Sequence, residues 1–134
     1  MTYICRVIRV LVYSSDSEVR ARVRRALGQL PESGSPPVDF VEVATQPAVT
    51  RETAEGKVDL VILDGEASPS GGIGVARQLK DELHQCPPIV LIIGRPDDAW
   101  LAVWSGADAV VPRGLDPIAL KEAAVPLLPG RLAV

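Results

Sequence analysis

Few residues in this chain could carry chemistry, and most that could lie just after short apolar runs. Asp64 closes VDLVILD (58–64), Ser14 and Ser15 follow RVIRVLVY (6–13), Ile93 and Gly94 end the run PIVLII (88–93) and its turn, and Arg113 follows the apolar stretch 109–111. A carboxylate, two hydroxyls and a guanidinium can share a site only if those runs are neighbouring strands. Thiol and imidazole chemistry is poorly supplied. Cys5 and Cys86 are isolated and His84 is the sole histidine, so zinc-type ligand spacing is missing and each thiol reads as a small buried hydrophobe. GGIG at 71–74 lacks the GxGxxG spacing and follows the third apolar run, not the first, so it reads as a turn and helix start rather than a dinucleotide loop.

The elements that must position these groups alternate in type. RVIRVLVY is a strand by its β-branched, apolar character. Ser15 or Asp16 can cap a helix with Glu18 in its first turn, and Val19, Val23, Ala26, Leu27 and Leu30 recur at helical spacing. Gly28 and the stretch from Pro31 to Pro37 end that helix in a loop. DFVEVA (39–44) alternates as an edge strand would. Gln46 to Gly56 is a short helix opened by Pro47. VDLVILD and PIVLII are nearly continuous apolar runs, the mark of strands covered on both faces. Between them, after Pro69, Gly71 and Gly72, a helix from about Ile73 to Leu83 buries Val75, Ala76, Leu79 and Leu83. Asp97 or Asp98 caps a helix carrying Ala99, Trp100, Val103 and Trp104. Residues 109–111 form a fifth strand, and Asp116 caps a last helix with Pro117, Ile118, Leu120, Ala124 and Leu127, frayed by Pro126 and Pro129. Five strand–helix repeats predict right-handed crossovers and a parallel sheet, whose functional groups collect at the carboxyl ends of the strands.

Composition narrows the function classes. The 134 residues, 47% apolar, suit one domain over 1–134 with no second output module. A net charge of −3 and a pI near 5.1 argue against direct nucleic-acid binding. No run reaches the roughly 20 apolar residues that span a bilayer, and Arg6 and Arg9 break any signal-peptide layout, so a cytoplasmic location is expected.

In its motifs the chain resembles the receiver domain of two-component response regulators, over almost its whole length: VLVYSSDSEVR (10–20), VDLVILDGEASPSGG (58–72), PPIVLIIG (87–94) and GADAVVPRGLDP (106–117). The resemblance implies a flavodoxin-like (βα)5 fold, a doubly wound parallel five-stranded sheet of order 2-1-3-4-5. It also implies that Asp64 is the phosphoacceptor candidate and Gly72 the start of the following helix. The family's loop proline corresponds to Ser68, with Pro69 one place late. The two acids that help hold Mg²⁺ correspond to Ser14 and Ser15, counting back from Arg20, with Asp16 one residue past. The family's Ser or Thr ending the fourth strand corresponds to Ile93, its aromatic switch position to Val110, its lysine to Arg113 and the proline after that to Gly114.

Those departures have chemical consequences. Mg²⁺ wants hard, usually anionic oxygen ligands, and one carboxylate with two neutral hydroxyls should hold it far more weakly than three carboxylates. Phosphoryl transfer depends on positioning and neutralising the equatorial oxygens; Ile93 offers them no hydroxyl, and Arg113 can pair with Asp64 instead, as a fork unlike a lysine. The expectation is therefore an orphan pseudo-receiver with no catalytic residue, no cofactor and no metal. It would act through a protein partner, or through a homodimer on the face of the fourth helix, fifth strand and fifth helix. The alternative is a conventional phosphorelay receiver, phosphorylated on Asp64 by a histidine kinase, with Mg²⁺ held with the help of Asp16; a small ligand in the altered pocket is a third reading. Trp100 and Trp104 sit four apart on one side of a helix. That is ordinary core spacing, so at least one is expected in the core, with an exposed partner patch as the other reading. Arg20, Arg22, Arg24 and Arg25 read as a solvated face with Glu18 as partner, or as a surface for an acidic partner.

Overall fold

The computed structural model describes residues 7–28, 38–68, 71–95 and 98–129, and the readings on Cys5, Leu30, the stretch from Pro31 to Pro37, Pro69 and Asp97 lie outside them. Apolar continuity becomes strand where expected: β1 (Ile8–Tyr13), β2 (Val38–Val43), β3 (Leu60–Asp64), β4 (Ile89–Ile93) and β5 (Ala109–Pro112). They pair in parallel in the order β2-β1-β3-β4-β5. Every residue of β3 and β4 is buried, as continuous apolar runs in the centre of a doubly covered sheet must be, while β2 lies at one edge.

Between the strands run α1 (Ser17–Leu27), α2 (Gln46–Ala54), α3 (Gly72–Glu82), α4 (Ala99–Ser105) and α5 (Pro117–Ala124), the last continued by a 3-10 turn at Val125–Leu127. Asp16 opens α1 by accepting the Glu18 N–H, and Asp116 opens α5 by accepting the Ala119 N–H, each satisfying a donor the helix itself leaves free. The alternation of strand side chains then sorts the core into two layers. Val10, Val12, Ile62 and Ile92 meet Val23 and Leu27 of α1 and Leu120 of α5 on one face. Leu11, Tyr13, Leu63 and Leu91 meet Val49, Val75, Leu79 and Ala102 of α2, α3 and α4 on the other.

Two aspartates tie strand beginnings to the loops beside them. Asp59 Oδ2 accepts the Arg9 N–H at 2.9 Å, and Asp108 Oδ2 accepts both the Ile89 N–H at 2.8 Å and the Lys80 ammonium at 2.9 Å. Removing the Asp108 acceptor leaves the N–H at the start of β4 without it, so Asp108→Ala should cost about 1–2 kcal/mol. A lower urea midpoint with an unchanged slope, and a smaller loss in Asp108→Asn, would be the measured signs. Cys86 is half-buried rather than fully buried; its thiol pKa is raised by burial, a rise opposed by Lys80 and assisted by Asp108.

Candidate functional site

Parallel register brings the chemical residues together. Tyr13 lies beside Leu63, Asp64 beside Ile92, and Ile93 beside Pro112, so Ser14, Asp64, Ile93 and Arg113 all emerge at one end of the sheet. Asp64 is 0% exposed, and its carboxylate is already hydrogen-bonded on both oxygens. Oδ2 accepts the Ser14 hydroxyl at 2.7 Å. Oδ1 accepts the Glu66 backbone N–H at 2.9 Å and an N–H of the Arg113 guanidinium. Ser14 Oγ in turn accepts the Asp16 N–H at 3.0 Å, which leaves its own proton free to point at Asp64. The Arg113 pair compensates a charge that would be costly to bury alone. Tyr13 feels the same environment: burial first, and then the Asp64 charge, push its phenol pKa up.

The remaining candidates are placed as follows. Ser15 is exposed, and its Oγ accepts the Ser68 N–H at 3.0 Å, which ties the β1–α1 loop to the β3–α3 loop. Asp16 does not enter the site; its Oδ1 is engaged in capping α1. Arg20 donates to the Ser14 carbonyl at 2.6 Å and pairs with Glu42. Ile93 packs into the apolar layer on its face of the sheet, and Val110 points outward from β5. Among the described residues, no group of three or more His, Cys, Asp or Glu comes together as a metal ligand set. Both oxygens of the Asp64 carboxylate already have donors.

No family model matches the chain. Two curated relatives do: uncharacterized response regulatory proteins of Mycobacterium tuberculosis, from strains CDC 1551 / Oshkosh and H37Rv. Each is 54% identical over 121 residues, covering 90% of this chain and 91% of the relative. The chain belongs to the response-regulator receiver family. Solved structures share the receiver's fold at low identity. The signal receiver domain of the NarL response regulator of M. tuberculosis has a TM-score of 0.73 at 23% identity, covering 92% of this chain and 98% of that one. The chemotaxis response regulator CheY4 of Vibrio cholerae has a TM-score of 0.74 at 14% identity, covering 92% and 100%. Among the described residues, no helix of the receiver is long and apolar enough to cross a membrane.

The tryptophans correct the core expectation. Trp100 is 68% exposed, Trp104 51% and Val103 between them 81%. α4 buries Ala102 and Ser105 instead. The approach to α3 and β4 is made by small side chains, and the bulky ones are left outside. Ile118 on α5, also read as part of a helical apolar stripe, is 67% exposed. Arg77 of α3 holds Trp104 in place, with its guanidinium 5.4 Å from the ring centroid and an N–H on the Trp104 carbonyl at 3.3 Å. Sequence reasoning missed three residues. Glu42 receives both Arg20 and Arg24, so Glu18 partners only Arg22 and Arg25; the acidic position in DFVEVA was the available signal. Arg77 left no signal in the sequence because it matters through a contact distant in the chain, and Glu66 left none because it enters the site through a backbone N–H that most residue types would supply.

Proposed function

We propose that this receiver is a protein-interaction module of signal transduction that works without phosphorylation, with Asp64 serving the structure rather than accepting a phosphoryl group. One observation carries the reading: Asp64 is sealed by Ser14, the Glu66 N–H and Arg113, and among the described residues no group of three or more His, Cys, Asp or Glu converges beside it for a divalent ion. A nucleophilic carboxylate would have to exchange those donors for a metal that Ser14 and Ser15 are poorly suited to hold. Ile93 supplies no hydroxyl to move toward a phosphoryl group, and Val110 no aromatic ring to follow it, so the two-state element that would relay the event is missing as well. No catalytic step, cofactor or resident metal is part of this reading, nor is direct contact with nucleic acid, and its setting is the cytoplasm.

The partner is a protein, met on the face of α4, β5 and α5, where Trp100, Val103, Trp104, Val110 and Ile118 are exposed. Large aromatic side chains are the usual anchors of such surfaces, and Trp104 is held in place before contact by Arg77. If the partner is a second copy, sedimentation equilibrium of the wild type should show a dimer that Trp100→Ala/Trp104→Ala abolishes. The phosphorylation question is tested by incubation with acetyl phosphate and Mg²⁺ followed by intact mass. The expected result is no stoichiometric gain. A gain that Asp64→Asn removes would instead establish the conventional phosphoacceptor, the function of a receiver phosphorylated by a histidine kinase.

A further inference from the structure

We infer that the cleft between α1 and the start of α5 is a binding site for a small phosphorylated molecule carrying a diphosphate group. The inference is independent of whether Asp64 accepts a phosphoryl group. The cleft holds about 520 Å³, within the range of small-molecule sites. Arg22 and Arg25 of α1 and Lys121 of α5 line it. Residues three apart on a helix share a side, so the two arginines meet the cleft together. Its floor is firmly built. Leu115 lines it and is only 6% exposed, packed in the same apolar layer as Ala26 and Leu120. Among the described residues it is the one non-glycine with a positive φ, 53°, a conformation that persists only where the surroundings enforce it. Its N–H is bound to the Pro112 carbonyl at 3.1 Å, so the loop has its shape before any ligand arrives. A Cβ on the neighbouring Gly114 would meet no heavy atom within 4 Å, which leaves that edge of the cleft open.

Charge selects the ligand. Three cations in the lining stand against one acid, Asp116, in a chain whose net charge is −3. Asp116 is occupied in capping α5, its Oδ2 accepting the Ala119 N–H at 3.4 Å. Arg22 and Arg25 share a single carboxylate, Glu18, at 3.6 and 3.1 Å. All three side chains are exposed, so these pairs are weak. Arg22 also reaches the Gly114 carbonyl at 3.5 Å, a long contact that an incoming oxyanion replaces at little cost. Lys121 has no ion pair or side-chain hydrogen bond among the described residues. Arginine forks and a lysine ammonium are ordinary partners of phosphate oxygens. Two or more negative charges balance the surplus in the lining, which a diphosphate supplies and a single carboxylate does not. Ala26, Leu115 and Pro117 add apolar wall that a nucleoside base can cover.

Calorimetric titration of the full chain with pyrophosphate, ADP and adenosine, without added metal ion, tests the site. Pyrophosphate and ADP are expected to bind once per chain, and adenosine not to bind. Tighter binding of ADP than of pyrophosphate marks a nucleotide as the ligand; equal or weaker binding marks an inorganic diphosphate. Lys121→Ala and Arg25→Ala should each weaken both about tenfold, and added salt should weaken them further. Arg24→Ala removes the same charge from α1, but Arg24 is paired with Glu42 and does not line the cleft, so it should leave the affinity unchanged. In amide NMR spectra the signals of Gly114, Leu115 and Lys121 should move on binding, and those of β2 should not. None of the altered side chains is buried, and circular dichroism checks that each variant folds. Absence of binding by both phosphate compounds at millimolar concentration overturns the site. So does an equal loss in Arg24→Ala, which would mean diffuse attraction to a basic helix.

Discussion

Arg113→Ala is expected to lower the unfolding free energy by about 3 kcal/mol, the usual cost of leaving a buried charge without its partner. Asp64 is fully enclosed while the Arg113 side chain is 32% exposed, so the two halves of the pair are not equivalent. Without the guanidinium the carboxylate keeps, among the described residues, the Ser14 hydroxyl and the Glu66 N–H, both neutral donors. Without the carboxylate the guanidinium can turn to water. Asp64→Asn should therefore cost less than Arg113→Ala, and adding Asp64→Asn to Arg113→Ala should recover much of the loss, because a neutral amide needs no counter-charge. Urea unfolding of the two single variants and the double variant measures this as a coupling energy. Equal losses for the two single changes, summing in the double, would mean that the pair carries no special weight.

The second large effect is expected at Gly72. A Cβ there would lie 2.6 Å from the Asp64 carbonyl oxygen, 2.8 Å from its carbonyl carbon and 3.0 Å from Leu63 Cβ. Two of these neighbours belong to the backbone of a central strand and cannot swing aside. Gly72→Ala must push the start of α3 away from the end of β3, and with it Val75, Ala76 and Leu79, all buried. Overpacking of a closed core typically costs 1–3 kcal/mol, and a backbone collision belongs at the upper end, so a loss of about 3 kcal/mol is expected, read as a fall in Tm and in the urea midpoint. Gly74, two residues beyond Gly72 on the same helix, has no atom within 4 Å of an added Cβ. Gly74→Ala should be neutral or slightly stabilising, since alanine is the better helix former. That contrast separates close approach from any general intolerance of change in α3.

Much of the frame was readable from residue order because it depends on local physics. The apolar runs that became β3 and β4 have no polar face to present to water, so only the middle of a covered sheet accommodates them. Asp16 and Asp116 stand where an exposed helix N-terminus needs an acceptor. The small residues of α4 were harder to read. Within Ala99–Ser105 nearly every position is apolar, so no stripe marks the inner side. Which side faces inward was decided by how closely α4 must approach α3 and β4, and Ala102 and Ser105 fit where a tryptophan does not.

The order of residues alone determined the five strand–helix repeats, the sheet they had to form and the strand ends at which Asp64, Ser14 and Arg113 would emerge, because hydrophobic periodicity and capping act over a few neighbouring positions. Only the tertiary structure decided that Ser14 and Arg113 both turn onto Asp64, that Asp16 turns away to cap its helix, and that the tryptophans face water. Each of those outcomes joins or separates residues far apart along the chain. Their energies exist only once parallel register and helix packing have brought the groups within contact distance.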